Sequence, residues 1–186
     1  MKTWIVCLAL FTTLLLLVPT AKADQQGPSY SVGIGLSPIY IEEQIKNDQL
    51  TGGLTTLPIH THLSTGYSFN SEYRVAVMVS HNWYVDAGSM VVTSGLLGIN
   101  TTYSPIGFYN TYLKAGAGLA MKNRFSTAEM ATGFGYMLGF GKGITERLSV
   151  EVSLQSLTFK EIAIDPDPDV SEDISSIQLS LVLLTF

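Results

Sequence analysis

The feature that most constrains this chain is an alternation of apolar and polar residues with a period of two. Tyr30, Val32, Ile34 and Leu36 alternate with serine and glycine. Because successive side chains of a β-strand point to opposite faces, this spacing predicts strands with one apolar face each and is incompatible with a helical stripe. The pattern predicts eight strands, which start near residues 30, 57, 73, 90, 109, 134, 148 and 177.

The composition of the two faces indicates which face of the predicted sheet points outward. One face carries valine, leucine, isoleucine and aromatic residues, whereas the other carries mainly glycine and serine with a few charges. A soluble sandwich or lipocalin-like cup would point its apolar face inward. The lumen of an eight-stranded barrel is barely wide enough for side chains, and a sheet in a bilayer must close on itself. We therefore predict an all-β, eight-stranded, antiparallel, up-and-down transmembrane β-barrel.

The first 23 residues have the pattern of a cleaved secretory signal peptide. Lys2 precedes an apolar stretch, and Ala21 and Ala23 form a small-x-small cleavage site. We expect residues 1–23 to be removed and residues 24–186 to form the barrel. Removal takes away Cys7, which excludes disulfides, and leaves eight basic and fifteen acidic residues, a formal charge of −7. An acidic chain without a basic stripe argues against nucleic-acid binding.

The predicted connections differ in length at the two ends of the barrel. Three are tight, at residues 70–72, 104–108 and 142–146, whereas residues 41–53, 121–129 and 162–173 form longer polar segments. Residues 86–89 are the exception, a short connection at the long-loop end. Outer-membrane barrels have short periplasmic turns and longer external loops. We therefore expect Ile41 to Gly53, Met121 to Glu129 and Ile162 to Asp173 to face the outside.

Several polar residues share the inward phase of the predicted strands and are the candidate site residues. Two histidines that are two positions apart are compatible with a pair of metal ligands or a base with its orienting partner, but no third ligand is identifiable. The inward charges are compatible with a narrow ion path or with a salt-bridge network that plugs the lumen. We predict a lumen polar network of His60, His62, Arg74, Lys114, Arg147 and Glu151, without metal or cofactor.

Three segments resemble the family of small outer-membrane β-barrels that includes the OmpA membrane domain and the OmpX, OmpW and opacity-type proteins. They are the glycine-spaced strand at residues 112–120, the glycine-rich strand at 133–143, and the turn and "Leu-Ser-Val" strand at 145–152. Phe186 is similar to the family's terminal assembly signal for the barrel-insertion machinery. Some members are lipid A enzymes with a His-x-Ser-Asn element, but residues 155–159 lack histidine, so the resemblance implies no enzyme here.

These observations predict a monomeric, cofactor-free protein of a Gram-negative outer membrane, in contact with lipid including lipopolysaccharide. We expect a structural or surface-binding role through the external loops. A small channel or lateral conduit for apolar solutes is one alternative, and an enzyme that acts on outer-leaflet lipid is another. The phase of the last strand stays open, because Phe186 is out of phase with Ile177 to Leu183. Either a bulge lies near its end, or the interior accepts Val182 and Leu184.

Overall fold

The computed structural model describes residues 26–46, 49–54, 57–85, 91–105, 110–125, 129–161 and 170–185. These residues form nine strands: β1 (Gly27–Lys46), β2 (Gln49–Leu54), β3 (Ile59–Ser68), β4 (Tyr73–Val85), β5 (Val91–Tyr103), β6 (Thr111–Arg124), β7 (Glu129–Gly143), β8 (Leu148–Glu161) and β9 (Val170–Thr185). Within these ranges there is no helix of the length and apolarity needed to cross a bilayer.

Eight of the strands close into a cylinder. Strands β3 to β9 pair in sequence order, β1 pairs with β3, and β1 also pairs with β9 from Tyr30↔Thr185 to Lys46↔Val170. Every pairing is antiparallel, which confirms the prediction of an eight-stranded up-and-down barrel. We call the end that holds residues 69–72, 104–105, 110 and 144–147 the turn end, and the opposite end the loop end.

Side-chain oxygens fix two of the connections at the turn end. The Asn70 Oδ1 accepts hydrogen bonds from the backbone N–H groups of Glu72 and Tyr73, at 2.9 and 2.7 Å. The Thr145 Oγ1 accepts from the N–H groups of Arg147 and Leu148, at 3.3 and 3.0 Å. Asparagine and threonine favour turns because their side chains replace backbone partners in this way. The two short turns therefore follow directly from the local sequence.

Strand β2 corrects one prediction. Residues 41–53 were expected to form a loop, but Ile41↔Leu54 to Lys46↔Gln49 is a regular antiparallel hairpin. This segment stays extended because β9 pairs with β1 as far as Lys46 and so satisfies the backbone of its other edge. Pro58 lies between this hairpin and β3, and its carbonyl accepts a hydrogen bond from the Ser37 N–H at 2.9 Å. Pro38, the next residue of β1, lies where the register between β1 and β9 shifts.

The other long connections are shorter than predicted, because the strands extend further. Strand β6 continues to Arg124 and β7 begins at Glu129, so most of the predicted loop at 121–129 is strand or lies outside the described residues. The predicted loop at 162–173 is wrong in its last four residues, since β9 starts at Val170 and buries Glu172 inside the barrel. The predicted short connection at 86–89 lies outside the described residues.

The outer wall of the cylinder is an apolar band with aromatic residues at both ends. At the turn end, Tyr73 stacks on Tyr103 with ring centroids 4.9 Å apart, and at the loop end Trp83 stacks on Phe125 at 6.2 Å. Trp83 lies ten positions after Tyr73 in β4, which is about 25 Å along the barrel axis for the usual rise and tilt of a barrel strand. An apolar band of roughly this height between aromatic girdles is typical of transmembrane barrels.

The core of the molecule lies inside the cylinder. Leu181 in β9 is exposed and Val182 is buried. The interior therefore accepts Val182, the first of the two residues named in the second option for the last strand; the Leu184 side chain and Phe186 lie outside the described residues. His81 has the outward phase of β4 and is half-buried beside Trp83, with ring centroids 5.9 Å apart.

Candidate functional site

The structure places five of the six predicted network residues inside the lumen. His60, His62, Arg74, Lys114 and Glu151 are all buried on the inward face of β3, β4, β6 and β8. The sixth, Arg147, lies in the turn between β7 and β8 at the turn end, half-buried. None of the side-chain hydrogen bonds or ion pairs found among the described residues joins it to the other five.

The charged residues form a layer near the turn end. The Lys114 Nζ donates to both Glu151 carboxylate oxygens, at 3.0 and 3.3 Å, and the Tyr112 hydroxyl donates to the Glu151 Oε2 at 3.0 Å. The Tyr112 hydroxyl is also 3.1 Å from the Ser149 Oγ. Each carboxylate oxygen therefore has a partner, as a buried charge requires.

A glycine sets the position of Tyr112. A Cβ atom on Gly141 would overlap the Tyr112 ring, so the ring lies directly against the bare backbone of β7 at this glycine. The glycine-rich sequence of β7 thus has a steric function, since it leaves room in a narrow lumen for the large side chains of neighbouring strands. Here it directs the Tyr112 hydroxyl to Glu151.

A layer of amide side chains lies next along the axis. The Asn82 Nδ2 donates to the Gln155 Oε1 at 3.2 Å, and the Gln155 Nε2 donates to the Ser80 Oγ at 2.6 Å. The Gln178 Nε2 donates to the Gln155 Oε1 at 2.9 Å, and its Oε1 accepts from the Ser153 Oγ at 2.9 Å. Because β4 and β8 are four positions apart in a ring of eight, the Asn82–Gln155 bond joins diametrically opposite walls.

The two histidines belong to the edge of this amide layer. The His60 Nδ1 lies 3.2 Å from the Asn82 Oδ1, which also accepts from the Ser37 Oγ at 2.8 Å. The His60 and His62 ring centroids are 5.9 Å apart, and the His62 ring covers Gly33. Among the described residues, no group of three or more histidine, cysteine, aspartate or glutamate side chains is placed to hold a metal ion.

The loop-end half of the lumen is an apolar core. Large side chains from six strands meet there with almost no exposed surface: Tyr40, Met78, Tyr84, Val92, Leu96, Met137, Leu157, Phe159 and Ile174. Leu96 and Leu157 both pack over Gly135. The Tyr40 hydroxyl reaches Ser94 at 2.9 Å, and the Tyr40 and Tyr84 rings are 5.1 Å apart. This half of the cylinder is filled like the interior of a soluble domain.

A second charged cluster closes the loop end of this core. The Lys122 Nζ donates to the Glu42 Oε1 at 2.8 Å and also to the Glu172 Oε1. The Tyr84 hydroxyl donates to the Glu42 Oε2 at 3.0 Å. Strands β1 and β6 are again opposite each other, so the Lys122–Glu42 bond is a second connection across the full lumen.

The sequence prediction missed the residues that cross the lumen. Asn82 and Gln155 have the inward phase of their strands, so the alternation was sufficient to place them inside but not to show that they meet. Three further residues fall in the predicted connections at the loop end: Lys122, Glu42 and Glu172. Beyond the apolar band both faces of a strand carry polar residues, so the alternation does not show where the strand ends. The available sequence signal for this cluster is one lysine and two glutamates that continue the inward phase at the ends of their strands.

Comparison with known proteins supports the architecture alone. No protein-family model matches the chain, and no curated protein matches its sequence. Among solved structures, the chain is similar to Neisserial surface protein A, with a TM-score of 0.52 and 14% identity over 86% of this chain and 98% of that one. It is also similar to Ail, the attachment invasion locus protein of Yersinia pestis, with a TM-score of 0.51 and 15% identity over 86% and 100%. The fold is that of small outer-membrane β-barrels.

Proposed function

We propose that the protein is an integral outer-membrane barrel that acts at its outer surface, and that its lumen is a packed support and not a path for solutes. The hydrogen bond between Asn82 and Gln155 carries the proposal, because it joins opposite walls in mid-lumen. The Lys122–Glu42 bond repeats this connection at the loop end. In this proposal the chain has no catalytic role and is exported with cleavage after Ala23.

The strands support a surface role because they continue beyond the apolar band at the loop end. Several outward positions of this part are polar, among them Glu43, Thr158 and Ser175, beside the apolar Val85, Val91 and Met130, whereas outward positions nearer the turn end are mostly leucine, valine and aromatic residues. A rigid wall above the bilayer with a packed interior is a suitable base for binding loops. The acidic, proline-containing sequence of residues 162–169 connects β8 to β9 at this end.

The closed lumen is tested by current recordings on the purified protein in planar bilayers. We expect the wild-type protein to show no stepwise conductance. Replacement of both Asn82 and Gln155 by glycine removes the connection across the lumen and is expected to produce small, brief openings. Stepwise conductance in the wild-type protein would contradict the proposal, whatever the variant does.

The surface role is tested by a loop replacement on intact bacterial cells that display the protein. Residues 162–169 are replaced by a glycine–serine segment of the same length, and binding of the cells to immobilised glycans and to epithelial cells is measured. We expect binding to fall while the barrel stays folded, as judged by its heat-dependent mobility on a gel. Unchanged binding would leave the structural role without the binding role.

A lateral conduit for apolar solutes is a second candidate. Two observations favour it. The loop-end half of the lumen is apolar. In addition, β2 continues the wall above β3 by pairing with β1, but among the described residues no hydrogen-bonded ladder joins β2 to β4, so the wall has a seam at this point. Ala131→Phe would add a bulky side chain to the buried face of the apolar half and obstruct any passage that opens there, and Ala117→Phe on the outer wall is the matched control. A conduit predicts that only Ala131→Phe reduces uptake of an apolar dye by proteoliposomes, whereas a packed support predicts no protein-dependent uptake at all.

A further inference from the structure

Arg74 is a buried cation that lacks a counter-charge. It lies in β4 at the turn end and is 6% exposed. Its Nη2 donates to the Ser64 Oγ at 2.7 Å, whereas its Nε has no partner. Among the described residues, none of the ion pairs involves Arg74. A buried guanidinium without a carboxylate is costly, because its charge has lost water without gaining a compensating partner.

The nearby carboxylate is already committed. Both oxygens of Glu151 accept from Lys114, and one also accepts from Tyr112. One glutamate therefore balances one lysine, and the charge of Arg74 remains. The buried lumen side chains described at the turn end thus carry an excess of one positive charge, and Glu72, the other carboxylate near this charge, is half-buried at the rim.

A cavity lies where this charge is unbalanced. Its volume is about 40 Å³, and it is lined by Arg74, Tyr112, Thr102 and the turn-end residues Ser68, Asn70, Ser71, Glu72, Tyr73 and Ser104. A second buried group without a partner, the Ser68 Oγ, lines the same space. Since one water requires roughly 10–15 Å³ of such volume, the cavity has room for about three water-sized particles.

The interior beyond this cavity is much tighter. The next space along the lumen, between Arg74, Asn100 and the Lys114–Glu151 pair, has a volume of about 10 Å³. It is therefore at the limit for a single water molecule. A particle that enters from the turn end is stopped at Arg74, so the larger cavity is a terminal site and not part of a path through the barrel.

We propose that this turn-end cavity binds a small monovalent inorganic anion of the size of chloride, held by the Arg74 guanidinium and the Ser68 hydroxyl. The anion supplies a negative charge beside Arg74, and its two donors are the two unpartnered buried groups of this cavity, the Arg74 Nε and the Ser68 Oγ. The volume disfavours a tetrahedral oxyanion with its hydration. Glu72, half-buried at the rim, opposes the anion and limits its affinity. The inference does not depend on what the loop end binds.

The direct test uses crystals of the wild-type protein grown in sodium bromide. Bromide replaces chloride and scatters anomalously, so it is distinguishable from water. We expect an anomalous peak in the turn-end cavity within hydrogen-bond distance of the Arg74 Nε. Density without an anomalous signal at this position would identify water and overturn the proposal. A soak in sulfate is expected to leave the cavity without a sulfate ion.

An independent test measures unfolding by urea in detergent micelles at constant ionic strength, with bromide compared against gluconate, which is too large for the cavity. An anion that binds only the folded state raises the unfolding midpoint. We expect bromide to raise it for the wild-type protein, Arg74→Gln to abolish the difference and Ser68→Ala to reduce it. Lys142→Gln, which removes an exposed cation at the same end, is the matched control and should keep the full difference.

The two tests cover the case in which Arg74→Gln does not fold, because the crystal measurement uses the wild-type chain. Equal midpoints in bromide and gluconate for the wild-type protein would overturn the proposal. An equal loss of the bromide effect in Lys142→Gln would also overturn it, since general charge screening would then account for the difference.

Discussion

The two halves of the lumen are held together by different kinds of interaction. At the turn end and in the middle, hydrogen-bonded charges and amides join the walls, as in Lys114–Glu151 and Asn82–Gln155. At the loop end, buried leucine, methionine and aromatic side chains fill the same cylinder. The polar half depends on the pairing of each group, because an unpartnered buried polar atom is costly, whereas the apolar half depends on filled volume. The two halves should therefore respond differently to matched substitutions.

The largest effect is expected for Glu151→Ala. It leaves the ammonium group of Lys114, which is 6% exposed, without a counter-charge, and removal of one partner of a buried pair costs about 3–5 kcal/mol. The free energy of unfolding, measured by urea titration in lipid vesicles, should fall by this amount. The double variant Lys114→Met with Glu151→Leu should recover most of the loss. A double variant as unstable as the single one would show that packing, and not charge pairing, dominates this half.

In the apolar half, Leu96→Ala should lower the free energy of unfolding by about 3 kcal/mol, because it leaves a cavity among closely packed neighbours. Its neighbour in sequence, Leu97, is on the outer wall and 39% exposed. Leu97→Ala is thus a matched control with a much smaller expected loss. Equal losses in the same urea titration would contradict the assignment of this region as a core.

The amide layer allows a substitution that changes polarity at nearly constant volume. Gln155→Met removes the partner of Asn82, Ser80 and Gln178 and should cost about 2 kcal/mol, since buried donors are left unpaired. Leu157→Met, two residues further along the same inward face in the apolar half, should cost less than about 1.5 kcal/mol, as expected for a volume-conserving apolar exchange. The ratio of the two losses measures the difference between the halves.

The smallest effect tests the steric role of the glycines. Gly141→Ala forces the Tyr112 ring to move and should cost about 1–2 kcal/mol, as for an overpacked core. Gly139 is two residues away on the same face, and a Cβ there would have its nearest neighbour at 3.4 Å, an ordinary contact. Gly139→Ala should therefore leave the unfolding midpoint almost unchanged. Similar losses for both would show that strand propensity, and not the Tyr112 contact, determines the result.

The alternation of apolar and polar residues was sufficient to predict the fold and the inward phase of Arg74, Lys114 and Glu151. It identifies faces reliably because a one-residue slip would expose every inward residue to the outside. It could not predict which inward residues meet, because contacts across the lumen depend on the tilt and stagger of the closed barrel. The pairing of Asn82 with Gln155, on strands far apart in sequence, is a result of this stagger.

The ends of the strands were the least predictable part. Residues 41–53 contain glycine, glutamate and lysine, which are typical of loops in a local reading. They form a hairpin because β9 supplies a backbone edge that no local pattern reveals. Glu172 was assigned to a polar loop for the same reason, whereas its partner Lys122 lies 50 residues away in sequence.

The seam between β1 and β9 joins the earliest and latest strands of the described chain, as in the pair Val32↔Leu183. Contacts so distant in sequence cannot form until the whole polypeptide between them is available. Until then β1 has a bare edge in need of a temporary partner, and such edges readily pair with other chains. Closure of the cylinder therefore has to wait for the complete chain, and until then the free edge of the long first strand is open to pairing with other chains.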